Sequence, residues 1–178
     1  MRLVLAVPVF AGLALAGCNA GDEPRSQAEA EEVARQMVKP MPGLYRSTSR
    51  LVSFDVPGMP PAQAEQLRQM FSTTAQGREY CLTPEEAGQG MEGALKKLAE
   101  GKCSYDRFNA DGEVLDAKLT CETGRDMKAT IAMKGTMSAD GSQMRMEVEQ
   151  SMPGAPGGSS VKMVAEIASE RIGECPRG

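Results

Sequence analysis

No histidine and no tryptophan occur in this chain of 178 residues, and three tyrosines and four phenylalanines are its only aromatics. Without histidine, the usual general base of a serine, cysteine or threonine nucleophile is missing, so triad chemistry has no ready proton acceptor. Zinc fares no better, because imidazole is absent and none of the five cysteines stands in a Cys-x-x-Cys pair. Basic residues number 20 against 24 acidic ones. That mildly acidic balance argues against nucleic acid or anionic lipid headgroups as the main partner. Beyond the first turns of the chain no apolar run is long enough to cross a bilayer as a helix.

What is present begins with compartment. Arg2 is followed by an apolar run from Leu3 to Ala16, broken only by Pro8 and Gly12. This is the positive n-region and short h-region of an export signal, too short for a spanning helix. The run ends in Leu15-Ala16-Gly17-Cys18, which resembles the lipobox of bacterial lipoproteins. The resemblance implies that residues 1–17 are a signal peptide and that the Cys18 sulfur carries a diacylglyceryl group. Attachment through two or more acyl chains is firm, whereas one chain holds only marginally. Asn19 stands where a lipoprotein retained in the inner membrane shows aspartate, which implies the periplasmic face of the outer membrane. An ordinary secretory signal cut near Ala14-Leu15-Ala16 is the competing reading.

Export sets the redox state of the other cysteines. Cys81, Cys103, Cys121 and Cys175 are an even number in an oxidising compartment, which reads as two disulfides. Side chains alternate along a strand, so Cys103 shares a face with Tyr105, and Cys121 with Leu115, Ala117 and Leu119. Placing Cys103 opposite Cys121 joins these apolar sets. A strict two-residue Asp111-Gly112 turn would instead pair Cys103 with Thr120, so the pairing demands an odd loop or a bulge. By elimination, Cys81 pairs with Cys175.

Residues 18–41 read as a tether that is helical in part, because the apolar stripe there is rich in small residues; packing of that helix on the domain is the other reading. Ser26-Gln-Ala-Glu29 has the form of a capping box, and Ala30, Val33, Ala34 and Met37 follow at helical spacing, until Pro40 stops the pattern. Leu44–Phe54 is rich in threonine, valine and serine and reads as a first strand, ended by Pro57-Gly58-Met59-Pro60-Pro61. Ala64, Leu67, Met70 and Phe71 give a helix over roughly 61–74. Thr83-Pro84-Glu85-Glu86 then supplies an N-cap, a first-turn proline and a capping-box glutamate. The helix it starts should falter at Gly88 and Gly90 before a second stripe of Met91, Ala94, Leu95 and Leu98. Strands follow at 103–108, 114–121, 127–137, 144–151 and 161–172, with Asp-Gly turns at 111–112 and 140–141. Residues 42–178 therefore read as one α+β domain. It is an antiparallel β-meander of a curved sheet, with short helices inserted after the first strand and two disulfides.

Chemistry-bearing candidates are few. Ser159-Ser160-Val161-Lys162 has the S-x-x-K form, yet it enters a strand where that chemistry requires a helix start. Glu85 and Glu86 suit a helix N-terminus as well as an acid/base pair. Asn109, Asp111 and Glu113 alternate like part of a calcium loop, but the segment is short and turn chemistry explains it. Met133, Met144, Met146 and Met163, with Met127, Met137 and Met152, crowd the C-terminal sheet. Methionine fills a core short of aromatics; thioethers also select Cu(I), and unbranched thioethers line adaptable apolar pockets. Met133, Met144, Met146 and Met163 are taken as the candidate apolar groove, with no metal and no cofactor assigned.

Pro42-Gly43-Leu44-Tyr45, Pro57-Gly58-Met59-Pro60, Tyr80-Cys81-Leu82-Thr83-Pro84-Glu85, Cys103…Phe108…Gly112…Cys121 and Arg171-Ile172-Gly173-Glu174-Cys175 are carried together. In these features the chain resembles the bacterial domain-of-unknown-function family 3617, over roughly residues 42–175. The resemblance implies a small exported protein and brings no substrate or catalytic residue. The expectation is a non-enzymatic lipoprotein, anchored to the outer membrane, whose domain binds an envelope protein or an apolar ligand. An envelope enzyme acting through carboxylates, or a purely structural envelope protein, is the alternative.

Overall fold

The computed structural model describes residues 24–74, 77–100, 102–124, 127–151 and 160–176, with the backbone alone for 71–74 and 99. The expected signal peptide, Cys18, Met152 and the loop through Ser159 lie outside the described residues, as does the side chain of Phe71. Seven strands form one antiparallel sheet: β1 (Gly43–Asp55), β2 (Arg78–Leu82), β3 (Cys103–Asp111), β4 (Val114–Gly124), β5 (Met127–Met137), β6 (Gly141–Ser151) and β7 (Ser160–Gly173). Their order is β2-β1-β7-β6-β5-β4-β3. The meander runs from β3 to β7, and the first strand lies beside the last. β2 has no counterpart in the sequence reading, because Arg78-Glu79-Tyr80-Cys81-Leu82 is too short to show period-two patterning between two helices.

Three helices accompany the sheet: α1 (Gln27–Arg35), α2 (Pro61–Thr74) and α3 (Pro84–Glu100). The Ser26 capping box is formed, with the Glu29 N–H donating to Ser26 Oγ at 3.3 Å and the Ser26 N–H donating to Glu29 Oε2 at 2.8 Å. From residue 24 onward, however, this segment is not a tether. Ala30, Ala34 and Met37 are buried, α1 packs on α3 and β3, and the Arg25 N–H donates to the Tyr105 carbonyl at 3.1 Å. The alanines that made the stripe look weak are what let α1 approach its neighbours closely.

The cap of α3 also forms as its sequence requires: Glu86 N–H donates to Thr83 Oγ1 at 3.2 Å, and Thr83 N–H to Glu86 Oε2 at 3.1 Å. The helix passes through Gly88 and kinks at Gly90, whose φ of 53° is left-handed. After the kink, Leu95 is fully buried, with Met91 and Leu98 around it. Leu95, Phe108, Leu115 and Leu119 are the largest fully buried side chains. Each is worth about 1.5–3 kcal/mol in burial. The core thus sits under α1 and α3, over β3 and β4.

Both disulfides are present, Cys103–Cys121 with Cα atoms 4.0 Å apart and Cys81–Cys175 at 5.5 Å. Cys103 stands opposite Cys121, and the bulge falls between Tyr105 and Arg107. The turn is displaced by one residue: Asp111 pairs with Val114, so Gly112-Glu113 are its central residues rather than Asp111-Gly112. The bulge then returns the register, and Tyr105 and Phe108 both enter the core, 6.0 Å apart edge to face. The β5–β6 turn is also displaced. Ser138 N–H donates to the Gly141 carbonyl at 2.8 Å, which centres the turn on Ala139-Asp140 and starts β6 at Gly141.

Candidate functional site

The register places the four candidate methionines on one face of the sheet, the same face as the core. One cross-strand row runs Ala117, Met133, Met146, Ala165, Leu51. Beside it runs Leu115, Gly135, Met144, Ile167, Ser49, and on the other side Leu119, Ile131, Val148, Met163, Phe54. Met133 and Met146 are therefore direct neighbours between alanines. A Cβ at residue 135 would lie 2.0 Å from the Gln143 carbonyl oxygen and 2.8 Å from Met144 Sδ, so Met144 lies across the space that Gly135 leaves.

This apolar floor has two parts. Met133, Met137, Met144 and Ile131 touch the buried cluster under α1 and α3. Met146, Val148, Met163 and Ile167 do not belong to that cluster and are half-buried. The helical cover expected of α2 is slight: Ala64 and Leu67 are half-buried, α2 lies against β1, and Met70 is 65% exposed. At the β5–β6 turn end the floor gives way to hydroxyls, with Ser142, Ser169 and Ser47 in one row. Tyr80 Oη lies 3.0 Å from Ser169 Oγ, and the Tyr80 ring stacks on Tyr45 at 5.7 Å. Burial, and next the Tyr80 hydroxyl, push the Tyr45 phenol above its ordinary range; its O–H donates to the Met41 carbonyl at 2.8 Å.

The opposite face is charged, and its charges answer one another. Glu166 pairs with Arg50 and with Arg145, the latter at 3.5 Å. Asp116 accepts from Arg107 at 2.7 Å and meets Lys134 at 3.1 Å. Burial works to raise the Asp116 carboxyl, but the hydrogen bonds from Arg107 and Lys134 outweigh it and hold the group below the usual range. Two shallow hollows of about 400 and 590 Å³ lie on this face, sharing Thr48, Gln143 and Ala168. Sequence reasoning missed them. They arise where a row of short side chains crosses between rows of long charged ones, which only the register reveals.

The remaining candidates are not brought together. Ser160 lies in β7 and donates to Glu149 Oε1 at 3.1 Å, while Lys162 meets the same carboxylate at 3.3 Å. Ser159 lies outside the described residues. Glu85 and Glu86 sit exposed in the first turn of α3, with Glu86 used by the cap. Hydrogen bonds from Thr83, the backbone one first, hold the Glu86 carboxyl below its ordinary range. Asn109 accepts from Arg25 at 3.4 Å, and Gly112-Glu113 form the tight β3–β4 turn. Among the described residues no group of three Cys, Asp or Glu side chains is placed to hold a metal, and no helix is long and apolar enough to cross a membrane.

No curated protein and no solved structure matches the chain. A family model does, over residues 40–175, and it covers every strand of the sheet together with both disulfides. On that match the chain belongs to the family described as "Protein of unknown function (DUF3617)".

Proposed function

We propose that this protein is a lipoprotein held by Cys18 on the periplasmic face of the outer membrane. Its domain is a binding module rather than an enzyme, taking an envelope protein or an apolar ligand on the face that carries Met133, Met144, Met146 and Met163. One observation carries the reading: the outer methionines lie on a continuous apolar floor but are only partly buried and outside the core cluster. A partly open apolar floor on a small domain suits a place of contact, and thioethers adapt to varied apolar shapes. The carboxylates near the sheet support the non-enzymatic part, since Asp116, Glu149 and Glu166 are each spent on cations.

Two measurements test the reading. Cys18→Ser should abolish lipid labelling and release the protein into the soluble periplasmic fraction. Membrane attachment that survives the substitution refutes the anchor. Solvent extraction of the purified protein followed by mass spectrometry should recover a bound apolar molecule, or capture from the envelope should yield one protein partner whose binding is lost in Met146→Lys. Unchanged capture in that variant, together with an empty extract, refutes the methionine face as the binding surface.

A further inference from the structure

We propose that the outer part of the floor, Met146, Val148, Met163 and Ile167, holds the acyl chain of a glycerophospholipid from the leaflet in which Cys18 is anchored. This rests on the lipoprotein reading given above and names the ligand class for its site. Three observations converge on it.

Reach comes first. Because α1 belongs to the core and Arg25 is hydrogen-bonded to Tyr105, the folded body reaches at least to Arg25. Only residues 19–24 separate it from Cys18. Seven Cα steps extend at most about 25 Å, so the β3 edge of the sheet is held that close to the bilayer surface. Tyr105, Leu119, Ile131, Val148 and Met163 lie in one cross-strand row. At about 4.8 Å per strand, β6 is about 14 Å and β7 about 19 Å from β3. The open part of the floor therefore stays beside the membrane and cannot cross the periplasm to another one.

Length comes second. Along β6 the apolar rows are those of Met144, Met146 and Val148, bounded by Ser142 at one end and Gln150 at the other. Two-residue steps make these three rows about 14 Å from first to last. That matches the half-thickness of a bilayer's hydrocarbon core, about 15 Å. A strip of this length matches one chain lying along the strands.

Chemistry comes third. Met146, Val148, Met163 and Ile167 present no hydrogen-bonding group to an occupant, and methionine follows an unbranched, mobile chain better than branched or aromatic residues do. The hydroxyl row of Ser47, Ser142 and Ser169 lies at the end where an ester and headgroup would emerge, with the Tyr80 hydroxyl at Ser169.

The test uses the full-length lipidated protein in vesicles of phosphatidylethanolamine and phosphatidylglycerol that contain a trace of phospholipid with a diazirine midway along one acyl chain. After irradiation, the label should appear on the peptides bearing Met144–Val148 and Met163–Ile167. The isosteric Met146→Gln/Met163→Gln variant should lower that labelling at least tenfold, while Thr136→Gln on the opposite face leaves it unchanged. The mass of the N-terminal peptide is read in the same experiment. A protein with lipid on Cys18 but no label on the floor overturns the acyl-chain proposal and leaves the anchor standing. A protein with an unmodified Cys18 overturns the lipoprotein reading, and the proposal with it.

Discussion

Removing the Cys81–Cys175 bridge should cost this protein a large fraction of its stability, through the unfolded state. The two residues are 94 apart, and the Cys103–Cys121 bridge, spanning 18, lies inside that loop. The inner bridge short-circuits the outer loop, so the effective loop is 94 − 18 = 76 residues. Chain-entropy scaling then gives about 4.5 kcal/mol for the outer bridge and about 3.2 kcal/mol for the inner one. Cys81 is exposed and Cys175 half-buried, so Cys81→Ala/Cys175→Ala opens little cavity and isolates the loop term. Cys121 is 6% exposed in the core, so Cys103→Ala/Cys121→Ala adds a packing loss to its loop term.

The assay is equilibrium urea unfolding of the oxidised proteins. For Cys81→Ala/Cys175→Ala the stability should fall by about 4 kcal/mol, against a total of about 5–15 kcal/mol for a domain. The slope with denaturant should rise, because the freed chain exposes more surface when unfolded. A loss below about 1 kcal/mol, or an unchanged slope, refutes the loop argument. It would mean that the unfolded chain holds β2 near the C-terminal strand without a covalent link.

Two further outcomes follow from the geometry. Asp116 is depressed in the folded state, so its contribution is fully present above the unfolded value of about 3.9. It is lost as pH falls through the lower folded value. Carboxyl NMR titration should show this, and Arg107→Gln should move Asp116 upward; a midpoint unmoved by that change refutes the assignment. Ser26→Ala removes the cap of a helix that carries core residues, and should lower stability by about 1 kcal/mol. Thermal unfolding measures that loss, and an unaltered transition would show α1 to be held without its cap.

The fold was legible where local chemistry and burial agree. Both capping boxes, the Gly90 break, the Cys103–Cys121 register with its bulge, and the meander could be read from side-chain type and spacing. The turns slipped by one residue because Asp-Gly marks a turn without fixing which two residues are central, and cross-strand burial decides that. β2 was hidden because an edge strand of five residues leans on β1 for its pairing and carries no pattern of its own. The tether reading of α1 erred because small residues were taken as weak packing. In fact Ala30 and Ala34 are the contact itself, and only the positions of α3 and β3 reveal it. The sequence groups Met133, Met144, Met146 and Met163 by composition and by the parity of Met144 and Met146 alone; that all four share a face comes from the register across β5, β6 and β7.

The partly open floor follows from topology. The helices meet the sheet chiefly towards its two sides: α3 leads into β3 and packs there, α1 precedes β1 in the chain yet lies on β3, where Arg25 is hydrogen-bonded, and α2 follows β1 and lies against it. The connections of the meander are shorter. Residues 125–126 join β4 to β5, 138–140 join β5 to β6, and 152–159 join β6 to β7. An average helix takes about 11–12 residues, so none of these connections has the length to lay one across the sheet. The middle strands therefore draw their helical cover from α1 and α3, against whose buried cluster Ile131, Met133, Met137 and Met144 pack, while Met146 and Met163 lie outside it. A rigid apolar set there, of leucine or phenylalanine, would leave fixed hollows and an adhesive surface. Methionine adjusts, partly sealing the floor when nothing is bound and yielding when a chain lies along it. On the other face the same strands set many of their charges in pairs. The asymmetry between the faces, charged on one and apolar with partly buried thioethers on the other, is what the proposed occupant of the floor would use.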